Sequence, residues 1–167
     1  AGSVSRHKKI NSGGIKKVEK TTTYRIPIYK VSLVRDGSYK SPSKAITSPP
    51  DAFSILEGYM QGLDREHFVV LLLDIKNKVI GINTVSIGNL DTSIAHPREV
   101  FKPAILSNAG SILLAHNHPS GDPEPSKEDI EITRRLVKAG EILGIDVIDH
   151  LILGDGCYRS LKEEGHM

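Results

Sequence analysis

Residues 111–140 read SILLAHNHPSGDPEPSKEDIEITRRLVKAG. Ser111–Ala115 is a short apolar run suited to a buried strand. It runs straight into HNHPSGDPEPS, whose proline and glycine residues mark a loop. From about Lys127 to Leu143 the spacing is helical: Ile130, Thr133, Val137 and Gly140 line one stripe, and Ile132, Leu136, Ala139 and Leu143 the next. Two adjoining stripes predict a helix substantially covered by the rest of the domain.

Downstream, IDVIDHLIL (145–153) reads as a strand, and Gly154-Asp155-Gly156 turns it towards a last short strand. Asp149-His150 sits among apolar residues there, so one of the pair must face inward or pair across the sheet. Upstream, HFVVLLLD (67–74) suits a strand buried on both faces. Lys76-Asn77-Lys78 turns it into VIGINTVSIG (79–88), giving a hairpin. Ser48-Pro49-Pro50-Asp51 is a helix start, followed by an apolar stripe to about Leu63. His96-Pro97 opens another helical stretch, which Pro103 is expected to break into a short turn and a helix through about Asn108. YRIPIYKVSLV (24–34) has the composition of a strand, with Pro27 placing it at a sheet edge. Mixed elements without a regular βαβ repeat predict an α+β or layered α/β/α domain over residues 23–167.

The 167 residues, 38% hydrophobic and 25% charged, have the balance of a globular domain able to bury a core. No apolar run reaches the roughly 18 residues that span a bilayer, and no signal-peptide pattern opens the chain, so a cytoplasmic protein is expected. Residues 1–22 lack sustained periodicity and read as a disordered basic tail, with Arg6, Lys8, Lys9, Lys16, Lys17 and Lys20 against Glu19. The remainder holds 16 basic and 19 acidic side chains. Such a tail can attract nucleic acid, but a solvated, disordered leader is the favoured reading. The single Cys157 excludes an internal disulfide and a thiolate metal cage. It also excludes a zinc nucleobase deaminase, which needs a Cys-x-x-Cys pair.

Any metal must therefore be held by nitrogen and oxygen. His116 and His118, one residue apart at a strand end, project to the same side and can converge on one ion. Asp129, in the first turn of the next helix, can add a carboxylate oxygen. Two nitrogens and one oxygen leave a fourth tetrahedral position for water, as in a catalytic zinc site. Ser126 and Asp129 also form a Ser-x-x-Asp pattern resembling a capping box, and on spacing alone that structural reading is the stronger. The two readings are compatible, but one Asp129 oxygen cannot serve both tasks fully. Asn117, Ser120 and Asp122 can shape the rim or contact the ligands from behind.

His116-x-His118, seven residues, Ser126, two residues, Asp129 resembles the JAMM motif of the MPN/JAB metallopeptidases in every position. HPREVFKPAILSNAGSILLAHNHPSGDPEPSKEDIEITRRLVKAG and GIDVIDHLIL look like the RadC branch, and the similarity covers about residues 47–164. The resemblance implies an MPN/JAB fold, a central mixed sheet flanked by helices. It also implies zinc on His116, His118 and Asp129, and a peptide or protein substrate attacked at an amide carbonyl by a metal-activated water. It assigns an upstream glutamate as general base. Glu66, directly before the 67–74 run, fits that position better than Glu99, which belongs to the intervening helical segment. Ser126 would donate a hydrogen bond to the developing oxyanion.

Alternatives from other classes are a catalytically silent MPN interaction module and a DNA-associated, repair-linked RadC-type factor. Longer RadC-type proteins carry an N-terminal helix-hairpin-helix segment, and the 46 residues ahead of the matched region do not read as one.

Overall fold

The computed structural model describes residues 24–88 and 95–167. The tail assigned to residues 1–22 lies outside them. In sequence order the elements are α1 (Pro49–Met60), β1 (His67–Leu73), β2 (Val79–Ile87), α2 (Pro97–Leu106), β3 (Ser111–Asn117), α3 (Lys127–Leu143), β4 (Asp146–Leu153) and β5 (Tyr158–Ser160). The strands form one mixed sheet in the order β2-β1-β3-β4-β5. Only β3 and β4 are parallel, and α3 is the crossover between them. The fold is α+β, a five-stranded sheet flanked by three helices, as the sequence predicts.

Alternation along β1 and β3 divides the core between the two faces of the sheet. Val69, Leu71, Leu73, Leu113 and Ala115 pack with Ile55 and Leu56 of α1. Phe68, Val70, Leu72, Ile112 and Leu114 pack with Val100, Phe101 and Ala104 of α2 and Leu136 of α3. β1 and β3 are therefore covered on both sides, which explains their nearly unbroken apolar sequences. Each large side chain buried here contributes about 1.5–3 kcal/mol.

The hairpin between β1 and β2 is held by Asp74, whose Oδ1 accepts the Lys76 and Lys78 N–H groups at 2.8 and 2.9 Å. Asn77 takes the left-handed conformation that the turn requires, φ 55°. α3 ends on Gly144 at φ 69°, the usual left-handed helix stop.

Two expectations are corrected. Pro103 does not break the second helical stretch: α2 runs uninterrupted from Pro97 to Leu106 with Pro103 inside it and buried. The neighbouring Val100, Phe101 and Ala104 are also buried against the sheet, and this packing outweighs the missing N–H. Nor does Tyr24–Val34 form an edge strand. No strand pairing is present there, and Ile28 is 99% exposed. The chain divides into two units at Ser32–Leu33; within the first, Tyr24–Ser32 has neither helix nor strand. Strand-like composition does not produce a strand without a partner to accept its backbone hydrogen bonds. Among the described residues no helix is long and apolar enough to cross a membrane.

Candidate metal centre

β3 carries Ile112, Leu114 and His116 on the face that packs under α2 and α3. His116 is thus the continuation of an apolar row, fully buried where the strand ends. It pairs in register with Phe68, two residues after Glu66, so Glu66 enters from the start of β1 on the same face. His118 lies one step past β3, tied to β4 by its N–H donating to the Leu153 carbonyl at 2.9 Å. Asp129 stands in the first turn of α3, and its side chain is buried.

The four side chains meet. His116 Nε2 lies 3.0 Å from His118 Nε2 and 3.2 Å from Asp129 Oδ1. His118 Nε2 is 3.6 Å from Asp129 Oδ2, and Glu66 Oε1 is 3.9 Å from His116 Nε2. One ligand atom each from Glu66, His116 and His118 lies within 4.8 Å of the others, a group that could hold a metal ion. Its edge is open to solvent, since the His118 and Glu66 side chains keep 19% and 16% of their exposure.

The competition foreseen between capping and the site resolves by oxygen atom. Asp129 Oδ2 accepts the Ser126 N–H at 2.8 Å and the Ser126 hydroxyl at 2.6 Å. Ser126 Oγ in turn accepts the Asp129 N–H at 3.1 Å, completing a capping box. Asp129 Oδ1 is buried beside the histidines and accepts no hydrogen bond.

These residues fit a divalent metal with nitrogen and oxygen ligands. His118 Nδ1 lies 2.8 Å from the Asp122 carbonyl, which can only accept. Nδ1 therefore carries a proton, and in the neutral ring Nε2 offers a lone pair to the centre. A lone pair 3.0 Å from a second ring nitrogen, beside an unsatisfied buried carboxylate oxygen, calls for a positive charge between them. The protonation tendencies agree. Contact with Asp129, only partly opposed by burial, raises the His118 pKa above its usual value. Burial pushes the Asp129 carboxyl up, but the His116 and His118 rings and the Ser126 hydroxyl outweigh it and hold it far below the ordinary range.

Of the two glutamates considered, only Glu66 reaches the centre. Glu99 sits on the exposed side of α2, paired with Lys102 at 2.8 Å. Ser120 and Asp122 organise the loop: Ser120 Oγ accepts the Asp122 N–H at 3.3 Å, and Asp122 Oδ1 the Glu124 N–H at 3.1 Å. Asp122 serves His118 through its backbone, a role its side-chain chemistry does not signal. Asn117 reaches back to β1: Oδ1 accepts the His67 N–H at 2.8 Å and Nδ2 donates to the Arg65 carbonyl at 3.1 Å. Both halves of the Asp149-His150 pair are buried, on opposite faces of β4. Asp149 accepts the Ser160 hydroxyl at 2.7 Å, tying β4 to β5. His150 turns to the centre, with Nε2 2.9 Å from His116 Nδ1. Burial pushes the His150 pKa well below its usual value, and neighbouring His116 adds to the shift.

Residues 46–166 match the RadC-like JAB domain. A UPF0758 protein of Caldanaerobacter subterraneus subsp. tengcongensis is 60% identical over 122 residues, covering 73% of this chain and 52% of that protein. One from Shouchella clausii is 57% identical over 120 residues, 72% of this chain and 52% of its own length. One from Methanosarcina mazei is 49% identical over 126 residues, 75% and 55% of the two chains. The chain spans about half the length of the curated relatives it matches.

Proposed function

This chain belongs to the RadC-like JAB domain family, and from that premise we propose that it is a zinc-dependent hydrolase acting on peptide or isopeptide bonds. The observation that supports the reading is the convergence of His116 Nε2, His118 Nε2 and the unsatisfied Asp129 Oδ1, with Glu66 Oε1 at the solvent-facing edge. In the proposed site His116, His118 and Asp129 hold the metal. Two imidazoles and a carboxylate are a donor set that zinc accepts in catalytic sites. When bound, zinc supplies Lewis-acid polarisation and lowers the pKa of water towards neutrality.

The protein's own groups carry the protons. Glu66, partly exposed and 3.9 Å from His116 Nε2, takes a proton from water as general base. The same carboxyl then gives it to the departing amine. Ser126 is the proposed oxyanion donor. Its hydroxyl donates to Asp129 Oδ2 in the resting arrangement. Turning that hydroxyl to a substrate oxygen leaves Oδ2 held by the Ser126 backbone N–H. The buried face of Phe68, with its ring centroid 6.1 Å from that of His116, shields the inner side of the site from water.

The test is metal analysis of the purified chain combined with a screen of peptide and isopeptide substrates. Near-stoichiometric zinc is expected, lost in the His116→Ala, His118→Ala double variant. Normal zinc content in that variant overturns the site. Glu66→Gln should keep its zinc and lose turnover, which separates a base from a ligand. Loss of zinc in Glu66→Gln would make Glu66 a ligand, and retained hydrolysis would move the base elsewhere.

A further inference from the structure

Behind the proposed ligands runs a chain of buried hydrogen bonds that the proton transfers do not use. His116 Nδ1 meets His150 Nε2 at 2.9 Å, and His150 Nδ1 meets Thr133 Oγ1 at 2.5 Å. Thr133 Oγ1 reaches the Asp129 carbonyl, one turn back on α3, at 2.5 Å. His116, His150 and Thr133 are all fully buried.

The direction of this chain follows from its last link. A carbonyl oxygen only accepts, so the contact with Asp129 uses the single hydroxyl proton of Thr133. Thr133 must then accept from His150, which places the His150 proton on Nδ1. In the neutral ring a proton on Nδ1 leaves Nε2 as the acceptor. His116 therefore donates from Nδ1, and its Nε2 keeps a lone pair. The other end agrees: Asp129 Oδ1, 3.2 Å from that Nε2, receives no hydrogen bond. Packing fixes the ring planes, since Phe68 stacks on His116 at 8° and meets His150 edge-on at 63°.

We propose that Thr133 and His150 are positioning residues that lock His116 in its Nδ1–H tautomer, so that Nε2 is presented to the metal before any metal arrives. The inference rests on the reading of His116 as a ligand. It goes beyond that reading by naming the residues that set the tautomer. α3 thereby supplies one end of the lock through Thr133, as well as Asp129 itself.

The experiment uses the full chain and two readouts. Nitrogen-15 spectra of the histidine rings, taken without metal, report the His116 tautomer. Zinc titration against a chromogenic chelator reports affinity. Thr133→Val keeps the shape and removes the hydroxyl. It should lose the single Nδ1–H tautomer and weaken zinc binding about 10- to 100-fold, the range for supporting hydrogen bonds behind metal ligands. Thr133→Ser, which keeps the hydroxyl, should restore both. A loss of packing alone would not be repaired by the smaller serine. His150→Phe, which keeps a ring beside Phe68 and removes both nitrogens, should behave as Thr133→Val does. It is the alternative if the valine variant does not fold. An unchanged tautomer in either relay variant, or zinc affinity within twofold of the parent, overturns the proposal. Normal zinc affinity in His116→Ala overturns the ligand reading instead, and the metal-free spectra still report whether the relay sets the tautomer.

Discussion

Asn117 brackets Glu66: its carboxamide accepts the His67 N–H at 2.8 Å and donates to the Arg65 carbonyl at 3.1 Å, holding the backbone on both sides of the carboxylate. The residue between the two histidines thus faces away from them and fixes the strand that delivers the fourth acidic or basic group. Asn117→Ala should lower stability by about 1–2 kcal/mol through two lost hydrogen bonds. Because Glu66 is freed and the histidines are not, turnover should fall about tenfold or more at unchanged zinc content. Parallel measurements of melting, zinc and hydrolysis check this. Parent-like turnover would mean that Glu66 is positioned without the clamp.

Ser126 is both helix cap and proposed oxyanion donor, and one variant separates the roles. Ser126→Ala removes the hydroxyl shared by Asp129 Oδ2 and the Asp129 N–H. The lost cap should cost about 1 kcal/mol in a denaturant titration. If the hydroxyl also assists the reaction, kcat should fall about 100-fold, far more than the stability change requires. A stability loss with full turnover would leave Ser126 as a cap alone.

Bound metal should stabilise the fold by mass action. Zinc at a hundred times its Kd adds about 2.7 kcal/mol to unfolding, and a chelator should remove that increment. Asp129→Asn keeps the size of the side chain but gives up a charged ligand, so its melting temperature should respond little to zinc. Equal zinc-induced shifts in the parent and the variant would exclude Asp129 as a ligand.

The start of α1 provides a pH-dependent contribution away from the site. Asp51 accepts from the Thr47 hydroxyl at 2.6 Å, the Thr47 N–H at 2.9 Å, and the Ser48 hydroxyl and N–H at 3.0 Å each. These contacts, the Thr47 hydroxyl foremost, lower its pKa from 3.8 to about 2. The folded state therefore favours the ionised form. The resulting stability is present above pH 3.8 and is lost as the pH falls through about 2. Asp51→Asn should show a shallower decline in stability over that interval, measured by urea titrations at stepped pH. An identical decline would assign the acid sensitivity to other carboxylates.

Gly140 of α3 sits close against the Ile145 backbone and the Phe101 ring of α2. A Cβ there would lie 2.5 Å from the Ile145 carbonyl oxygen and 3.3 Å from Phe101 Cζ. Gly140→Ala gains about 1 kcal/mol of helix propensity but must move backbone, so a net loss of about 1–2 kcal/mol is expected in chemical denaturation. A stabilised variant would show that the helix can shift outwards freely.

Much of this was legible in the sequence because it depends on local pattern. The apolar runs gave β1, β2 and β3 to within two residues at each end, and the 3.6-residue stripes gave α3 with its observed limits. The His116-x-His118 alternation and the Ser126-x-x-Asp129 step fixed both the shared face and the helix start. What was not legible depends on distant partners. Pro103 inside α2 is tolerated because of what lies beneath it. Tyr24–Val34 lacks a pairing partner that composition cannot supply. Thr133 looked like one more member of a buried stripe. His150 was a polar residue in an apolar strand, a signal of something buried, but its meeting with His116 required the parallel pairing of β3 with β4.

The loop joining β3 to α3 has a further consequence. Between His118 and Ser126 it carries Pro119, Pro123 and Pro125, each with φ fixed by its ring. The three rings narrow the conformations open to the segment before folding, so bringing Asp129 back to the histidines removes less chain entropy than a loop without them would. A metal bound at the proposed centre would gain from that stiffness, which is written into eleven consecutive residues from His116 to Ser126.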